Sequence, residues 1–149
     1  MEGRYDDSLE RFDLLDALIG VDNAELRSDA LGWRSRLCWL SGRWDEAFSS
    51  ANAAVAVLAD LPESRQLARA LARRSQIEML KHRPESVDDA REAIAVARRV
   101  GDSFAEVNAR INLFTEEAAR GVVRTRMRRS RSWRPPHGRV RTTRRSARS

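Results

Sequence analysis

Two histidines, one cysteine and 22 carboxylates are the groups with which this chain could do acid–base, nucleophilic or metal chemistry. Such chemistry needs constellations: a nucleophile beside a base, or three to four ligands at fixed spacing. The sequence offers none. His82 falls in a turn between two helical stretches and His137 in an Arg-rich C-terminal segment. Neither is spaced from Cys38 or from carboxylates as a metal-ligand set would be. Cys38 falls mid-helix and reads as a small packing residue. The acidic pairs at 6–7, 88–89 and 116–117 read as solvated helix faces or first-turn partners of a helix dipole, not as paired acid and base. No G-x-x-x-x-G-K-S/T or G-x-G-x-x-G loop is present to cradle a phosphate. The expectation is a protein with no catalytic residue, no cofactor and no metal.

What remains is recognition chemistry. Trp33, Trp39 and Trp44 cluster within one short stretch. Trp33 and Trp44 fall on apolar stripes and are expected in the core. Trp39 falls off the stripe of its helix and is the better candidate for a contact surface. Charge is distributed unevenly. Eleven of the 28 basic residues and none of the 22 acidic ones lie in 122–149, so residues 1–121 hold 17 basic and 22 acidic residues, a net charge of −5. The overall +6 belongs to the last segment. One cysteine excludes an intrachain disulfide framework and suits a reducing compartment. The acidic start MEGRYDDSLERF is unlike a secretory signal, and the apolar run AAVAVLA is too short to span a bilayer. A cytoplasmic location without a membrane segment is expected.

These groups must be positioned by helices. Ala, Leu, Arg and Glu dominate, and apolar residues recur at three- and four-residue steps, as in Ala30, Leu31, Trp33, Leu37 and Leu40. The pattern predicts six helices near 5–18, 24–40, 45–59, 64–81, 85–100 and 103–119. Gly20, Asp22 and Asn23 are expected to end one helix and cap the next. Pro62 and Pro84 are expected in first turns, and Ser103 with Glu106 as a capping box. Short connections imply antiparallel neighbours.

A repeat runs through these elements. GRYDDSL begins at Gly3 and GRWDEAF at Gly42. At that 39-residue step Ser8, Ala47 and Ser86 align, as do Leu9, Phe48 and Val87, then Phe12, Ala51 and Ala90, then Leu15, Ala54 and Ala93. The alternate helices align at a step of 40, Ala30-Leu31 with Ala70-Leu71, Leu37 with Ile77 and Leu40 with Leu80. Gly42, His82 and Gly121 then mark one recurring turn. Helix pairs at such periods stack into solenoids.

The stretches GRYDDSLERFDLLDAL and GRWDEAFSSANAAVAVL resemble the turn and second helix of tetratricopeptide (TPR) repeats. In that family a Gly, an aromatic residue and an acidic pair precede an Ala at the helix crossing; Gly42, Trp44, Asp45, Glu46, Ala47 and Ala54 fall on the pattern. The segment 90–121 also resembles the helical repeats behind the ATPase module of large bacterial LuxR-type regulators. Arg34 and Arg74 depart from the TPR pattern, which has a large apolar residue there, whereas Leu113 fits it. His82 and Pro84 replace the Gly and aromatic residue of the turn. The resemblance implies an all-α, antiparallel helix-pair solenoid, a TPR-like superhelix of about six helices over 1–121. It implies further that first helices line a concave face. Asp29, Gly32, Trp33, Arg36 and Trp39 would lie there, followed by Arg69, Arg73, Gln76 and Met79, then Asn108, Asn112 and Thr115. The Lys/Asn pattern by which some members clamp a terminal carboxylate is missing.

Both ends break the repeat. Only Met1 and Glu2 precede the first turn, leaving Leu9, Phe12, Leu15 and Ile19 on a face that wants cover. After Gly121 the apolar period stops, and 122–149 is expected to be a disordered basic tail. Three readings of it stand side by side. It is a nucleic-acid arm, with Arg124, Arg126, Arg128, Arg129 and Arg131 on phosphates and Trp133 stacked on a base. It is a solvated extension without a role. Or it is a frameshift product, the reading favoured here, since G/C-rich codons for 125–128 and 131–136 shifted by one base encode Glu-Asp-Ala and Leu-Val-Glu-Ala-Ala. The expected function is a non-catalytic protein–protein interaction scaffold, a fragment of a larger bacterial transcriptional or signalling regulator. It would take a protein or peptide partner or self-associate through exposed terminal helices. The alternative is nucleic-acid binding through the tail.

Overall fold

The computed structural model describes residues 3–19 and 23–121. Six α-helices follow one another: α1 Gly3–Leu18, α2 Ala24–Leu40, α3 Trp44–Ala56, α4 Arg65–Leu80, α5 Ser86–Val100 and α6 Ser103–Ala119. No strand occurs among the described residues. The protein is all-α, with helices close to those the periodicity predicts. α3 stops three residues early because the chain tightens after Ala56, where Leu58, Ala59 and Leu61 donate to carbonyls three residues back.

Side-chain caps start three helices. Asn23 accepts from the Leu26 N–H at 3.1 Å, Ser64 from Leu67 at 3.2 Å and Asp102 from Ala105 at 3.0 Å. Each such cap contributes about 1 kcal/mol. Two expectations are corrected. Pro62 and Pro84 precede the caps Ser64 and Glu85 and so lie outside the first turns. Asp102, not Ser103, caps α6, and Glu106 pairs with Arg98 at 2.8 Å and Arg110 at 2.6 Å in place of a capping box. Gly20 and Asp22 lie outside the described residues.

Hydrogen bonds give the helix directions. Ser28 Oγ, early in α2, donates to the Ala54 carbonyl late in α3 at 2.7 Å. Ser35 Oγ, further along α2, donates to Ala47 early in α3 at 2.8 Å. The two helices therefore run antiparallel. Between α4 and α6, Arg69 reaches Asp102 and Asn112 reaches Ala72 and Ser75, so these run parallel. Contacts stay local: α1 packs on α2, α3 on α2 and α4, α5 on α4 and α6, while α4 joins α2 to α6. α2 and α6 do not pack on each other.

The aligned small residues are the crossing points. Ala47, Ala51 and Ala54 of α3, and Ser86, Ala90 and Ala93 of α5, are all buried. A bare methyl or hydroxymethyl lets the backbones approach closely enough for serine hydroxyls to reach the neighbouring carbonyls. Ala68, Leu71, Ala93, Val96, Ala105 and Ala109 form one core cluster, and Leu9, Cys38, Ala47 and Ile77 another. The buried face of α2 differs from the predicted stripe. It carries Ser28, Ala30, Gly32, Ser35 and Cys38, while Leu31 and Leu37 are half-buried and Trp33 and Leu40 exposed.

The two departures from the TPR pattern form a second repeating device. Arg34 donates to Ser50 at 2.9 Å and Asp13 at 3.1 Å, and lies 3.4 Å from Glu46. One repeat later Arg74 grips Asp89 with both arms of its guanidinium, one at 2.7 Å. Ser50 and Asp89 are themselves 39 residues apart. An arginine thus ties α2 to α3 and α4 to α5 where an apolar side chain would otherwise pack.

The recurring turn is also explicit. Gly42, His82 and Gly121 have φ of 79°, 52° and 77°. The residue after the first two donates back to Cys38 and Glu78 at 2.8 and 3.0 Å, which satisfies the last carbonyls of each helix. Lys81 Nζ lies 4.1 Å from the Trp44 ring centroid, and Arg83 Cζ 3.8 Å from that of Phe48, so this turn stacks on the start of α3. A left-handed conformation disfavours any Cβ, and nothing lies within 4 Å of a Cβ built on Gly42, so only the backbone matters there. Denaturant unfolding should therefore show His82→Gly stabilised and Gly42→Ala destabilised, each by about 1 kcal/mol. Equal stabilities for all three proteins would show that the turn is not held in this conformation.

Candidate interaction groove

The alternate helices α2, α4 and α6 share a concave groove. It encloses a cavity of about 280 Å³ lined by Trp33, Arg36, Trp39, Arg69, Arg73, Gln76, Phe104, Asn108, Ile111 and Asn112, with Gly32, Ser35, Ala72, Ile77 and Ala105 at its base and walls. Of the residues expected on this face, Gly32, Trp33, Arg36, Trp39, Arg69, Arg73, Gln76, Asn108 and Asn112 come together here. Three do not line it. Asp29 stands beside it as the partner of Arg73 at 3.4 Å. Thr115 is exposed and donates to its own helix at Ile111. Met79 is half-buried elsewhere.

Arg73 is the centrepiece. Its guanidinium crosses α2 at Gly32, where a Cβ would collide with it, and lies 5.3 Å from the Trp33 ring centroid. The missing side chain at 32 makes that crossing possible. Burial lowers the pKa of Arg73, and Asp29 opposes the shift. Arg69 Nε donates to Asp102 at 2.7 Å. Burial alone would raise the Asp102 carboxyl, but the Ala105 N–H and Arg69 outweigh it and hold the carboxyl below its ordinary value. Arg36 lies 5.8 Å from the Trp39 ring centroid. Three guanidiniums and no carboxylate thus line the groove, within a stretch whose net charge is −5.

Two expectations about residue roles change. Of the two places expected for Trp33, core and concave face, it takes the second, at 51% exposure, because it sits on the side of α2 that faces Arg73. Trp44 is half-buried under Lys81. Trp39 serves two surfaces, lining the groove while packing against the Leu9–Cys38–Ala47–Ile77 cluster. Asn112 is buried, and its amide is spent on Ala72 and Ser75 at 2.9 and 2.8 Å, so it joins α6 to α4. The sequence reading missed Phe104 and Ile111. Both flank Asn108 on one side of α6, and extending the spacing 104, 108, 111 along that helix finds them.

The acidic pairs also divide. Asp88 is exposed, but Asp89 is buried in the grip of Arg74. Glu116 is buried and accepts from Arg120 at 2.7 Å. Among the described residues no group of His, Cys, Asp and Glu is placed to hold a metal ion. The residues 124, 126, 128, 129, 131 and 133 named for nucleic-acid contact lie outside the described residues.

Compared with known protein families, curated proteins and solved structures, the chain gives no match.

Among the described residues, one carboxylate has a strongly shifted proton affinity. Glu78, buried on α4, is pushed up to about 7, first by its burial and then by Asp89 beside it. It lines neither described cavity. Between 4.5 and about 7 the native state keeps a proton that the unfolded chain releases. Stability from this group is therefore present below that window and lost as pH rises through it. The Tm of Glu78→Gln should match wild type on the acid side and exceed it on the basic side. A Tm difference independent of pH would contradict the placement of Glu78.

Proposed function

We propose that the protein is a non-catalytic interaction module whose concave groove holds an extended segment of a partner protein. The supporting observation is the groove itself: three aligned helices present Trp33, Trp39, Phe104 and Ile111 beside Arg36, Arg69 and Arg73. Aromatic and arginine side chains are those that carry binding energy at protein interfaces. Arg69 and Arg73 are held in place by Asp102 and Asp29 before any ligand arrives, which reduces the ordering cost of binding. The 39- and 40-residue steps between the helices that bring these residues together support the TPR-like reading. In a larger bacterial regulator of the LuxR type, such a module would recruit or sense a partner while other parts do chemistry.

The test is a selection of random peptides displayed against the full chain, followed by affinity measurement. Arg36→Ala with Trp33→Ala should weaken the selected peptides by about tenfold or more, while leaving helix content unchanged. Selected peptides indifferent to both substitutions would place recognition elsewhere. Peptides lost only when the six proposed nucleic-acid contacts in 122–149 are replaced would do the same.

A further inference from the structure

The arginines of the array differ in how they are neutralised. Burial lowers the proton affinity of Arg34 and Arg74, but Asp13 and Asp89 outweigh it, and both end above the ordinary value. Arg73 ends below. Its burial dominates, Asp29 offers it one hydrogen bond at 3.4 Å, and Arg69 and Arg36 stand near enough to repel it. Arg69 is committed to Asp102 at 2.7 Å. Arg36 is exposed, and among the described residues it lies against the Trp39 ring and not against a carboxylate. A desolvated cation with too little negative charge around it is costly to hold.

The surroundings favour an anion as the missing charge. No carboxylate lines the groove, and two of its guanidiniums lie beside indole rings, Arg73 5.3 Å from the Trp33 centroid and Arg36 5.8 Å from that of Trp39. Rings that displace water strengthen a charge pair formed next to them. A guanidinium also presents paired N–H donors that match the two oxygens of a carboxylate. Arg36 and Arg73 stand on neighbouring helices. α4 is the middle helix of the three, packed against α2 and against α6. A chain seated on Arg73 therefore has groove to follow in both directions, past Trp33 and Trp39 on α2 and past Asn108 on α6.

We infer, on the reading of the groove as a peptide site, that it selects acidic segments: an internal glutamate or aspartate side chain of the partner sits between Arg36 and Arg73, with an apolar neighbour against the two tryptophans. A second carboxylate, added to Asp29, completes the neutralisation of Arg73. A terminal carboxylate seated there would leave part of the groove empty on one side of α4, so the charge comes from a side chain. A nucleic acid would carry its phosphates on past the groove, over residues 1–121 with their net charge of −5. A short acidic stretch meets only the three guanidiniums, a local positive field on an otherwise acidic body.

The experiment displays random peptides, with neither terminus free, against the full chain. Wild type should select peptides rich in Asp and Glu beside an aromatic or branched apolar residue. A selected peptide, synthesised with capped ends, should bind about tenfold more weakly when its acidic residue is replaced by the amide. With Arg36→Gln the same replacement should cost clearly less, since the two changes remove one interaction. Arg36 is exposed, and circular dichroism checks that the variant stays helical; Arg36→Met is the second variant should it not. Peptides that need Trp33 and Arg36 yet show no preference for acid would overturn the acidic selectivity and leave the peptide groove standing. Peptides indifferent to both residues would overturn both. An amide replacement that costs as much with Arg36→Gln as with wild type would also overturn the inference, the acid then being held elsewhere, as by the eleven Arg of 122–149. So would binding that requires a free C-terminal carboxylate, or oligothymidylate that displaces the selected peptide.

Discussion

The close approach of α3 and α5 to the helices beside them is the constraint on which the rest of the structure depends. It holds only because Ala47, Ala51, Ala54, Ala90 and Ala93 present no more than a methyl group at the crossings. Bulkier residues would push the helices apart by more than the serine hydroxyls of α2 can span. With the crossings fixed, the 39- or 40-residue step sets the position of every first helix relative to the next, and the groove follows from that position.

The scaffold tolerates polar groups in places where a compact core would not. Cys38, Ser28, Ser35 and Ser75 are fully buried, yet each serine hydroxyl donates to a helix carbonyl. Arg34 and Arg74 replace apolar packing with directed hydrogen bonds. Such bonds give modest net stability but penalise a shifted register, because a slipped helix strands a half-buried guanidinium or the buried Asp89 carboxylate. In a repeat whose crossing residues are nearly all alanine, that penalty is what distinguishes the correct register from a neighbouring one.

Much of this was legible from the residues. The six helices and the aligned columns follow from spacing, since burial at Ala47, Ala54 and Ala93 repeats with the same period as the letters. Gly42, His82 and Gly121 were legible as one turn because they recur at the repeat step, and each follows a first helix in the left-handed conformation. The concave face was legible through register, which gathered nine residues of the groove. Polar burial was not. Asp89 and Glu116 look solvated beside an acidic neighbour; the grip of Arg74 on Asp89 appears only in three dimensions, whereas the Arg120–Glu116 pair has i,i+4 spacing but its burial does not show in the sequence. Trp33 fitted both the core and the concave face because α2 is apolar on several sides, so its sequence does not say which side faces a neighbour. Gly32 was legible as a concave-face position, but not as the site where Arg73 crosses α2.

The central claim is that the first helices stack in parallel register, one repeat apart, and so create the groove. The most direct measurement is nuclear Overhauser contact in solution between the Asn112 side-chain amide and the protons of Ala72 and Ser75. The account predicts strong cross-peaks to both residues, given their 2.9 and 2.8 Å hydrogen bonds. Cross-peaks from Asn112 to α2, or to a different turn of α4, would contradict the register and with it the groove.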